Sequence, residues 1–443
     1  MKEKGILLPI FSLPSKYGVG DFGNEAYEFI DILADNGITY WEILPINACD
    51  RLPYSPISYY ALNEAYISID KLKEAGLIKR IEDPGDRRYV DHAIYDDYKD
   101  KYIKRAYNNF VITKEYKEFI KNKNIKEYAE YKALRGKEKE EYYLFEQFIL
   151  FKQWMSIKEY ANNRGIQIIG DMPVYPPFDS VDTEYHKKYF RIKGNKIEFE
   201  AGSPPDYFSE DGQKWGSATY NVENIAKDEY KYLIDRYEWY IKLFDKIRVD
   251  YFRGYDSFFE IPYGKSGKEG HYQDGVSYGF FDKLFERGIV RKEDLFIEDL
   301  GDIREETVRL RDNYGFIRQK ILQFTLDLDN LYDRDNREEN VLMYPGNHDT
   351  QTIYGWYKTL QPYQQENLKE FLKNNNCNNI NVNIGIMEYL VRCMARIVII
   401  SVQDVLGLDD EARINLPGTL SDNNWSWKLV DFNDFKERIR DFK

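Results

Sequence analysis

The stretch "KIRVDYF", Lys246–Phe252, carries the pattern that decides the fold. Its apolar and β-branched residues are typical of a buried strand, and the strand ends on a carboxylate, Asp250. Arg248 precedes that carboxylate by two positions, so both side chains lie on the same face of the strand. Burying a carboxylate costs free energy, and an arginine beside it favours the ionised form. The stretch therefore predicts a buried strand whose end is equipped for chemistry.

The same pattern recurs along the chain. Five further short apolar runs are "GILLPI" (Gly5–Ile10), "YWEILPI" (Tyr40–Ile46), "IQIIGDMPV" (Ile166–Val174), "DLFIEDL" (Asp294–Leu300) and "VLMYPGNHD" (Val341–Asp349). Helical patterns separate them, such as "EAYEFIDILADNG" (Glu25–Gly37) and "DEYKYLIDRYEWYIKLF" (Asp228–Phe244). Strands that alternate with helices predict an α/β fold with a parallel sheet, and near-continuous apolar strands indicate a sheet buried on both faces.

Three of the other runs also end on acidic residues, namely Asp171, Glu298 and Asp349. In a parallel barrel, side chains at the carboxyl ends of the strands converge on the active site. Each carboxylate alone is explained equally well by a salt bridge or a helix cap, but four together favour a site. Asp250 as nucleophile and Glu298 as proton donor match the two carboxylates of a retaining glycosidase. Asp349, beside His348, is suited to binding sugar hydroxyls, so the pattern predicts a sugar-active barrel.

The composition bounds the class of protein. The chain has 443 residues, a net charge of −13 and a pI near 5.1, which argues against a nucleic-acid partner. A single core rarely grows beyond about 250–300 residues, but a barrel with insertions reaches this length. Aromatic residues make up 16% of the chain, and 39 of them are tyrosines. Tyrosine offers the flat apolar face and polar edge that sugar rings stack on, so this composition is compatible with a carbohydrate ligand.

The N-terminal sequence and the cysteines predict a cytoplasmic protein. The first apolar run is short and meets Pro9 and Pro14, unlike a signal peptide, and no run approaches the ~20 apolar residues of a membrane span. Cys49, Cys377 and Cys393 are too widely spaced for a disulfide framework or a metal-binding motif. We therefore expect no membrane partner, no metal and no organic cofactor.

One segment interrupts the alternation of strands and helices. From Lys71 to Glu146 the chain is rich in lysine, glutamate and tyrosine with helical periodicity. Residues 71–146 are thus predicted to be a mainly helical insertion, with charged residues on solvated faces. Residues 1–443 are predicted to form a single catalytic barrel, with this insertion as a subdomain within it.

The glycines of "YGVGDFG", Tyr17–Gly23, suggest a different class of enzyme. Their G-x-G-x-x-G spacing, with Glu42 19 residues beyond Gly23, resembles the fingerprint of a dinucleotide-binding oxidoreductase. A true fingerprint begins where its strand ends, whereas "FSLPSKY" separates these glycines from the run that ends near Ile10. We therefore interpret the segment as the first loop of the barrel.

Several motifs follow one another in a single order: "GILLPIFSLPSKYGVGDFG", "IIGDMPVYPPFDSVD", "PPDYFSEDGQKWG", "IRVDYFRG", "IEDLG", "NHDTQTIYGWY" and "QDVLGLDDEARINLPGT". In these motifs the chain resembles, from end to end, the 4-α-glucanotransferases of the amylomaltase (disproportionating enzyme) family, glycoside hydrolase family 77. The resemblance implies a (β/α)8 TIM barrel with helical insertions and no separate C-terminal β-domain. It also implies α-1,4-glucans and malto-oligosaccharides as substrates, with glucose as an acceptor.

The resemblance also implies roles for individual residues. Asp250 would be the nucleophile, Glu298 the general acid/base and Asp349 the carboxylate that stabilises the transition state. The residues implied to bind substrate are Tyr54, Asp171, Tyr207, Phe208, Gln213, Trp215, Arg248 and His348. Without the resemblance, the aromatic residues of this set would be interpreted as packing residues.

The chain departs from the family pattern at several positions. Tyr251 follows the nucleophile where the family usually has histidine, and Glu42 replaces a common glutamine. Arg51, Leu52 and Ser55 stand where Asp, Ser and Gln are common. Because the three carboxylates are retained, we expect activity. An α-glucan hydrolase with the same carboxylates and a catalytically weakened glucan-binding homologue are the alternatives.

Overall fold

A computed structural model describes residues 2–84, 90, 98–205, 210–301, 303–334, 338–377, 379 and 381–442. Eight parallel strands form a closed barrel in which strands consecutive in the chain lie side by side. They are β1 (Glu3–Leu7), β2 (Tyr40–Glu42), β3 (Gln167–Met172), β4 (Lys246–Val249), β5 (Leu295–Ile297), β6 (Ile317–Ile321), β7 (Val341–Tyr344) and β8 (Ile397–Ser401). The predicted (β/α)8 TIM barrel is thereby confirmed.

Alternate strand residues separate into two apolar clusters, as the two-residue period of a strand requires. One cluster fills the barrel and contains Leu7, Tyr40, Ile169, Phe296, Ile317, Ile321, Leu342, Tyr344, Ile397 and Ile399. The intervening residues, such as Ile6, Trp41 and Ile168, belong to the larger core shared with the helices. This alternation sets the direction of each polar side chain near the strand ends: Asp171 follows the inward-facing Ile169 by two positions.

Helices pack around the barrel. Those between successive strands are Asn24–Asp35, Lys231–Leu243, Ser277–Glu286, Glu305–Tyr314, Ile353–Thr359, Pro362–Asn374 and Val382–Arg392, with Val402–Leu406 and Asn433–Arg438 after β8. Shorter helices lie in the connections at Val181–Tyr185, Val222–Lys227, Arg253–Asp256 and Leu322–Thr325. Within the described ranges, no helix combines the length and apolarity that crossing a bilayer requires.

The connection from β2 to β3 is mainly helical where it is described. Its helices are Ile69–Glu74, Asp100–Asn109, Lys114–Phe119, Lys123–Arg135 and Glu140–Asn163. The longest is bonded to the helix that precedes β4, because buried Trp154 donates its indole N–H to the carbonyl of Leu243, the last residue of that helix, at 3.0 Å. The Gln147 side-chain amide accepts a hydrogen bond from the Leu62 N–H at 2.8 Å and donates one to the Leu62 carbonyl at 2.9 Å. These helices share the larger apolar core with the barrel.

A four-stranded antiparallel sheet is built from the connections on either side of β4. In spatial order its strands are His271–Asp274, Ser257–Pro262, Phe199–Ser203 and Gln213–Ala218. Two two-stranded sheets pair Ile192–Lys193 with Lys196–Ile197 and Leu326–Asp327 with Tyr332–Asp333. The larger sheet carries Gln213 and Trp215, two of the predicted substrate-binding residues.

Two barrel strands were not among the predicted apolar runs. β6, "IRQKI", has three polar residues at its centre, so it does not have the apolar character of a buried strand. β8, "IVIIS", is fully buried, but it closely follows the helix Val382–Arg392, and the two apolar patterns merge in the sequence. In both cases closure of the barrel, a tertiary property, decides the strand.

The predicted strand Val341–Asp349 is too long. β7 ends at Tyr344, before Pro345 and Gly346, so Asp349 does not stand on a strand end. A turn holds it instead: the backbone N–H of Asp349 donates to Asn347 Oδ1 at 3.0 Å. The predicted strand Gly5–Ile10 likewise ends early, at Leu7.

The glycine-rich loop Tyr17–Gly23 lies between β1 and the helix Asn24–Asp35, well past the end of the strand. A Cβ atom added to Gly20 would lie 2.1 Å from the carbonyl oxygen of Ile10, so only glycine fits there. Gly18 has φ +85°, a conformation that glycine adopts without strain. These glycines thus serve the packing of the loop, and the dinucleotide interpretation has no strand end to support it.

Candidate active site

One buried guanidinium joins two strand-end carboxylates at the carboxyl end of the barrel. Arg248 Nη1 donates to both carboxylate oxygens of Asp171 and to Oδ1 of Asp250, each at 2.9 Å. Asp171 stands on β3, and Asp250 directly follows β4. The prediction that Arg248 and Asp250 lie on the same face of the strand is therefore confirmed. The guanidinium neutralises part of the negative charge of the site.

The network continues from Asp171 to Asp349 through two ring side chains. The Tyr54 hydroxyl lies 2.6 Å from Asp171 Oδ2 and 2.8 Å from His348 Nε2. That nitrogen is 3.4 Å from Asp349 Oδ2. The rings of Tyr54 and His348 stack with centroids 5.3 Å apart, and the buried Trp425 packs against both. The structure thus brings six of the predicted site residues into one connected network.

Glu298 is held beside Asp250 by the backbone. The N–H of Tyr251 donates to Glu298 Oε2 at 3.0 Å, and the N–H of Leu300 donates to Oε1 at 2.8 Å. Because Tyr251 is the residue after Asp250, this bond ties the Glu298 carboxylate to the backbone beside Asp250, at the end of the neighbouring strand. Tyr251 has φ +49°, an unusual value for a bulky residue and one of the strained positions that cluster at functional sites.

Burial raises the pKa values of both neighbouring carboxyls. Burial raises the pKa of Asp250 to about 7, Arg248 opposes the rise, and Asp171 and Glu298 add to it. Burial likewise raises the pKa of Glu298, again against the effect of Arg248. Pairs of carboxyls with raised pKa values are typical of acid–base sites, because one of them then holds a proton near neutral pH.

Three residues that sequence reasoning missed support this network. Gln319, which faces inward on β6, accepts a hydrogen bond from Arg248 Nε at 3.3 Å. Asn415 donates its amide to Asp349 Oδ1 at 2.6 Å, and Arg413 donates to the Asp349 carbonyl. The only available signal was the motif "EARINLPGT", which contains Arg413 and Asn415 but does not reveal what they contact.

Glu42 lies inside the barrel, below the ring of strand-end carboxylates. It is 1% exposed and accepts a hydrogen bond from the Tyr344 hydroxyl at 2.8 Å. Burial raises the pKa of Glu42 to about 8; Tyr344 and Arg248 act against the rise, and Asp171 adds to it. Glu42 is therefore protonated at neutral pH, and a protonated glutamate closely resembles in shape the glutamine that the family pattern has there.

The predicted contact residues outside the barrel are partly described. Trp215 packs edge-on against Tyr251, with ring centroids 5.1 Å apart, and lies 3.4 Å from Gln213 Oε1 through its indole nitrogen. Tyr207 and Phe208 lie outside the described residues. Trp215 thus lies beside Tyr251, the residue that follows the nucleophile candidate Asp250.

A cleft of about 470 Å³ opens beside the network. Its walls are Asp50–Leu52 with Ser55 on one side and residues 419–422 with Asn424 and Trp425 on the other. Arg51 and Asp422 form an exposed ion pair of 3.4 Å between the two walls. In the described parts of the chain, no three His, Cys, Asp or Glu side chains are grouped so as to hold a metal ion.

Comparison with known proteins identifies the family. The model of the 4-alpha-glucanotransferases of glycoside hydrolase family 77 matches residues 8–142 and 135–433. The 4-alpha-glucanotransferase of Aquifex aeolicus is 33% identical to the chain, over 99% of this chain and 98% of its own length. That of Thermus thermophilus is 32% identical, over 96% of this chain and 94% of its own length.

Solved structures agree with the sequence comparisons. An amylomaltase from Streptococcus agalactiae in complex with acarbose superposes with a TM-score of 0.90 at 28% identity, covering 100% of this chain and 98% of that one. An amylomaltase from Corynebacterium glutamicum, 16% identical, shares the fold with a TM-score of 0.84 over 100% of this chain and 75% of that one. The chain belongs to the 4-alpha-glucanotransferase family, glycoside hydrolase family 77.

Proposed function

We propose that the chain transfers α-1,4-linked glucan segments between malto-oligosaccharides, with glucose also serving as an acceptor, by a retaining double displacement. The family supports an α-glucan substrate. The single observation that carries the mechanism is the bond from the Tyr251 N–H to Glu298, which holds Asp250 and Glu298 side by side at the ends of neighbouring strands. Neighbouring strand ends support the proposal because retaining glycosidases need two carboxyls only about 5–5.5 Å apart.

In the first step the donor glucan is cleaved. The Asp250 carboxylate attacks C1 of the sugar at the cleavage site while Glu298, in its protonated form, gives its proton to the glycosidic oxygen. The C1–O bond breaks, an ester bond between C1 and Asp250 forms, and the segment beyond the cleavage site leaves with a free 4-hydroxyl. Desolvation raises the pKa of both carboxyls, so the pair retains a proton toward neutral pH, and the proposed mechanism requires that proton to lie on Glu298 when Asp250 attacks.

In the second step an acceptor replaces the departed segment. Its 4-hydroxyl attacks C1, Glu298 takes the hydroxyl proton, and the ester to Asp250 breaks, which rebuilds an α-1,4 bond. Transfer exceeds hydrolysis when the acceptor keeps water away from the ester. Trp215, beside Tyr251, with Gln213 and the aromatic pair Tyr207 and Phe208, is proposed to contact the glucan and exclude water there.

The remaining network residues position the sugar and balance its charge. Asp349, held by Asn415, is proposed to stabilise the positive charge that develops at C1. Asp171 and His348 are proposed to bind hydroxyls of the same sugar, and Tyr54 to pack against it. Arg248 keeps the nearby carboxylates in place and limits their mutual repulsion.

Incubation of the purified chain with maltotriose tests the proposal. We expect glucose together with a ladder of oligosaccharides longer than maltotriose, resolved by chromatography. Shortening without longer products would show a hydrolase, and no turnover would show a glucan-binding homologue. Asp250→Asn should lower kcat/KM at least about 10⁴-fold, in the range of other nucleophile losses. Asp329→Asn, at an exposed site, is the matched control and should leave turnover unchanged.

A further inference from the structure

One ring nitrogen of His348 takes no part in the network described above. Nε2 faces Tyr54 and Asp349, whereas Nδ1 is buried and has no hydrogen-bond partner among the described residues. The residue as a whole is 3% exposed. A buried acceptor without a partner costs free energy, so a hydrogen-bond donor is expected beside Nδ1.

Gln403, in the helix that follows β8, presents a second unpaired atom. Its Nε2 donates to the Ala412 carbonyl at 3.2 Å, while Oε1 is buried and has no partner in the described chain. This orientation of the amide is set by Ala412, because the reverse orientation would bring two oxygen atoms together. Gln403 Oε1 is therefore a buried hydrogen-bond acceptor without a donor among the described residues.

Both residues line the same small cavity. Its volume is about 10 Å³, which is the room that one water molecule needs. Thr350, Ser401 and Arg413 also line it, so its wall is polar rather than apolar. Polar cavities of this size hold buried waters, whereas empty cavities are lined by apolar side chains.

The hydrogen positions in the network decide which kind of partner His348 Nδ1 and Gln403 Oε1 can bond to. Tyr54 has one hydroxyl proton, and the closest acceptor is Asp171 Oδ2, an oxygen that Arg248 also binds. Tyr54 Oη is then left to accept a proton from His348 Nε2. Burial lowers the pKa of His348, so the ring is neutral and Nδ1 carries no proton. Nδ1 and Gln403 Oε1 are thus both acceptors and cannot bond to each other.

We infer that a single buried water donates two hydrogen bonds, one to His348 Nδ1 and one to Gln403 Oε1. Through this water, Gln403 is a positioning residue for His348. The water holds the ring in the tautomer that directs Nε2–H toward Tyr54 and Asp349. The inference about the water stands on the two unpaired atoms and their shared cavity. Only its effect on turnover rests on the proposed glucan transfer.

The tautomer is tested by ¹⁵N NMR of the full chain labelled at its four histidines. The signals of His348 are assigned by their loss in His348→Gln. We expect an unprotonated Nδ1 and a protonated Nε2, and a shifted Nδ1 signal in Gln403→Met, which keeps the side-chain length without the amide. A protonated Nδ1 in the unmodified chain, or identical His348 signals in Gln403→Met, would overturn the inference.

A crystal structure and kinetics complete the test. The crystal structure should show a water within hydrogen-bond distance of both atoms, and a site without density there contradicts the inference even if a variant fails to fold. Gln403→Met should lower kcat about 10-fold with little change in KM, since small misplacements of a site residue are costly. Gln365→Met, which also removes an amide bound to a backbone carbonyl, is the control and should change neither value. If the unmodified chain transfers no glucan, the proposed function fails while the NMR result still decides the water.

Discussion

Two arginines are buried among the described residues, and their surroundings differ in one respect. Arg248 is 3% exposed and binds the carboxylates of Asp171 and Asp250. Arg236 is 1% exposed, but its described partners are neutral: it donates to the Tyr220 hydroxyl at 2.8 Å and to the Val174 carbonyl at 3.3 Å. Its guanidinium also lies over the ring of Tyr59, 4.3 Å from the centroid.

The difference separates the proposed functional use of an arginine from a structural one. Carboxylates that share one arginine are placed at the open end of the barrel, where their charge can act on a ligand. Arg236 instead fills a space between tyrosines, and two of its nitrogens, Nε and Nη2, have no partner in the described chain. Burial of an arginine therefore says little about function; the ionised partners decide it.

Of the two arginine substitutions that test this comparison, Arg248→Met should have the larger effect. Methionine keeps much of the volume but leaves the buried Asp171 and the half-buried Asp250 without a counter-charge. Breaking a buried ion pair in this way costs about 3–5 kcal/mol of unfolding free energy. We also expect kcat/KM for maltotriose to fall roughly 10³-fold, since the charge that orders the carboxylates is lost.

Urea denaturation and the maltotriose assay measure both effects of Arg248→Met. Should this variant keep near-normal turnover, the assignment of Arg248 to the site would be wrong.

A second effect, which acts on stability and depends on pH, is expected for Glu42→Gln. The groups that face Glu42 are Tyr344 on β7, Asp171 on β3 and Arg248 on β4, and its register neighbours Leu7 and Ile169 are apolar. The folded chain holds the Glu42 proton up to about pH 8, whereas an ordinary glutamate loses it near 4.5. The unfolded chain thus binds fewer protons between these values, and stability falls as pH rises through that range.

Glutamine does not titrate, so Glu42→Gln escapes this loss. The difference in unfolding free energy between the variant and the unmodified chain should be small at pH 4. It should grow in favour of the variant by up to about 1.4 kcal/mol per pH unit and level off near pH 8. Urea titrations from pH 4 to 9 measure it. A difference that does not change with pH would mean that Glu42 is ionised in the fold.

The smallest effect is expected for Arg236→Met, the counterpart of the first substitution. It removes a buried charge together with the two unpaired nitrogens and leaves no carboxylate bonded to the lost group. Replacing a buried polar group by an apolar one of similar volume is often nearly neutral, so the unfolding free energy should change by about 1 kcal/mol or less. kcat should stay within about twofold, because the matched comparison assigns Arg236 no part in catalysis.

Arg236→Met is checked with the same two assays as Arg248→Met. If both arginine variants lose activity equally, the distinction between the two buried arginines fails.

Much of the site followed from local pattern. Asp250 and Arg248 are two residues apart on one strand, and a strand's period alone puts them on one face. Asp349 was identified beside His348, but its predicted strand was wrong, because Pro345 and Gly346 end β7 and a turn at Asn347 carries the carboxylate. Local patterns predict direction along a strand well and the ends of strands poorly.

By itself, the sequence determined the alternation of strands and helices, the acidic residues that follow the strands, and the family. Each of these depends on residues close together in the chain. Only the tertiary structure decided that Asn415 reaches Asp349, that Gln319 on an unpredicted strand supports Arg248, and that Glu42 meets Tyr344 across the barrel. Those pairs are far apart in sequence. Closure of eight strands brings the inward-facing side chains of the last two pairs into one interior, and the connections that follow β7 and β8 bring Asp349 and Asn415 together at its end.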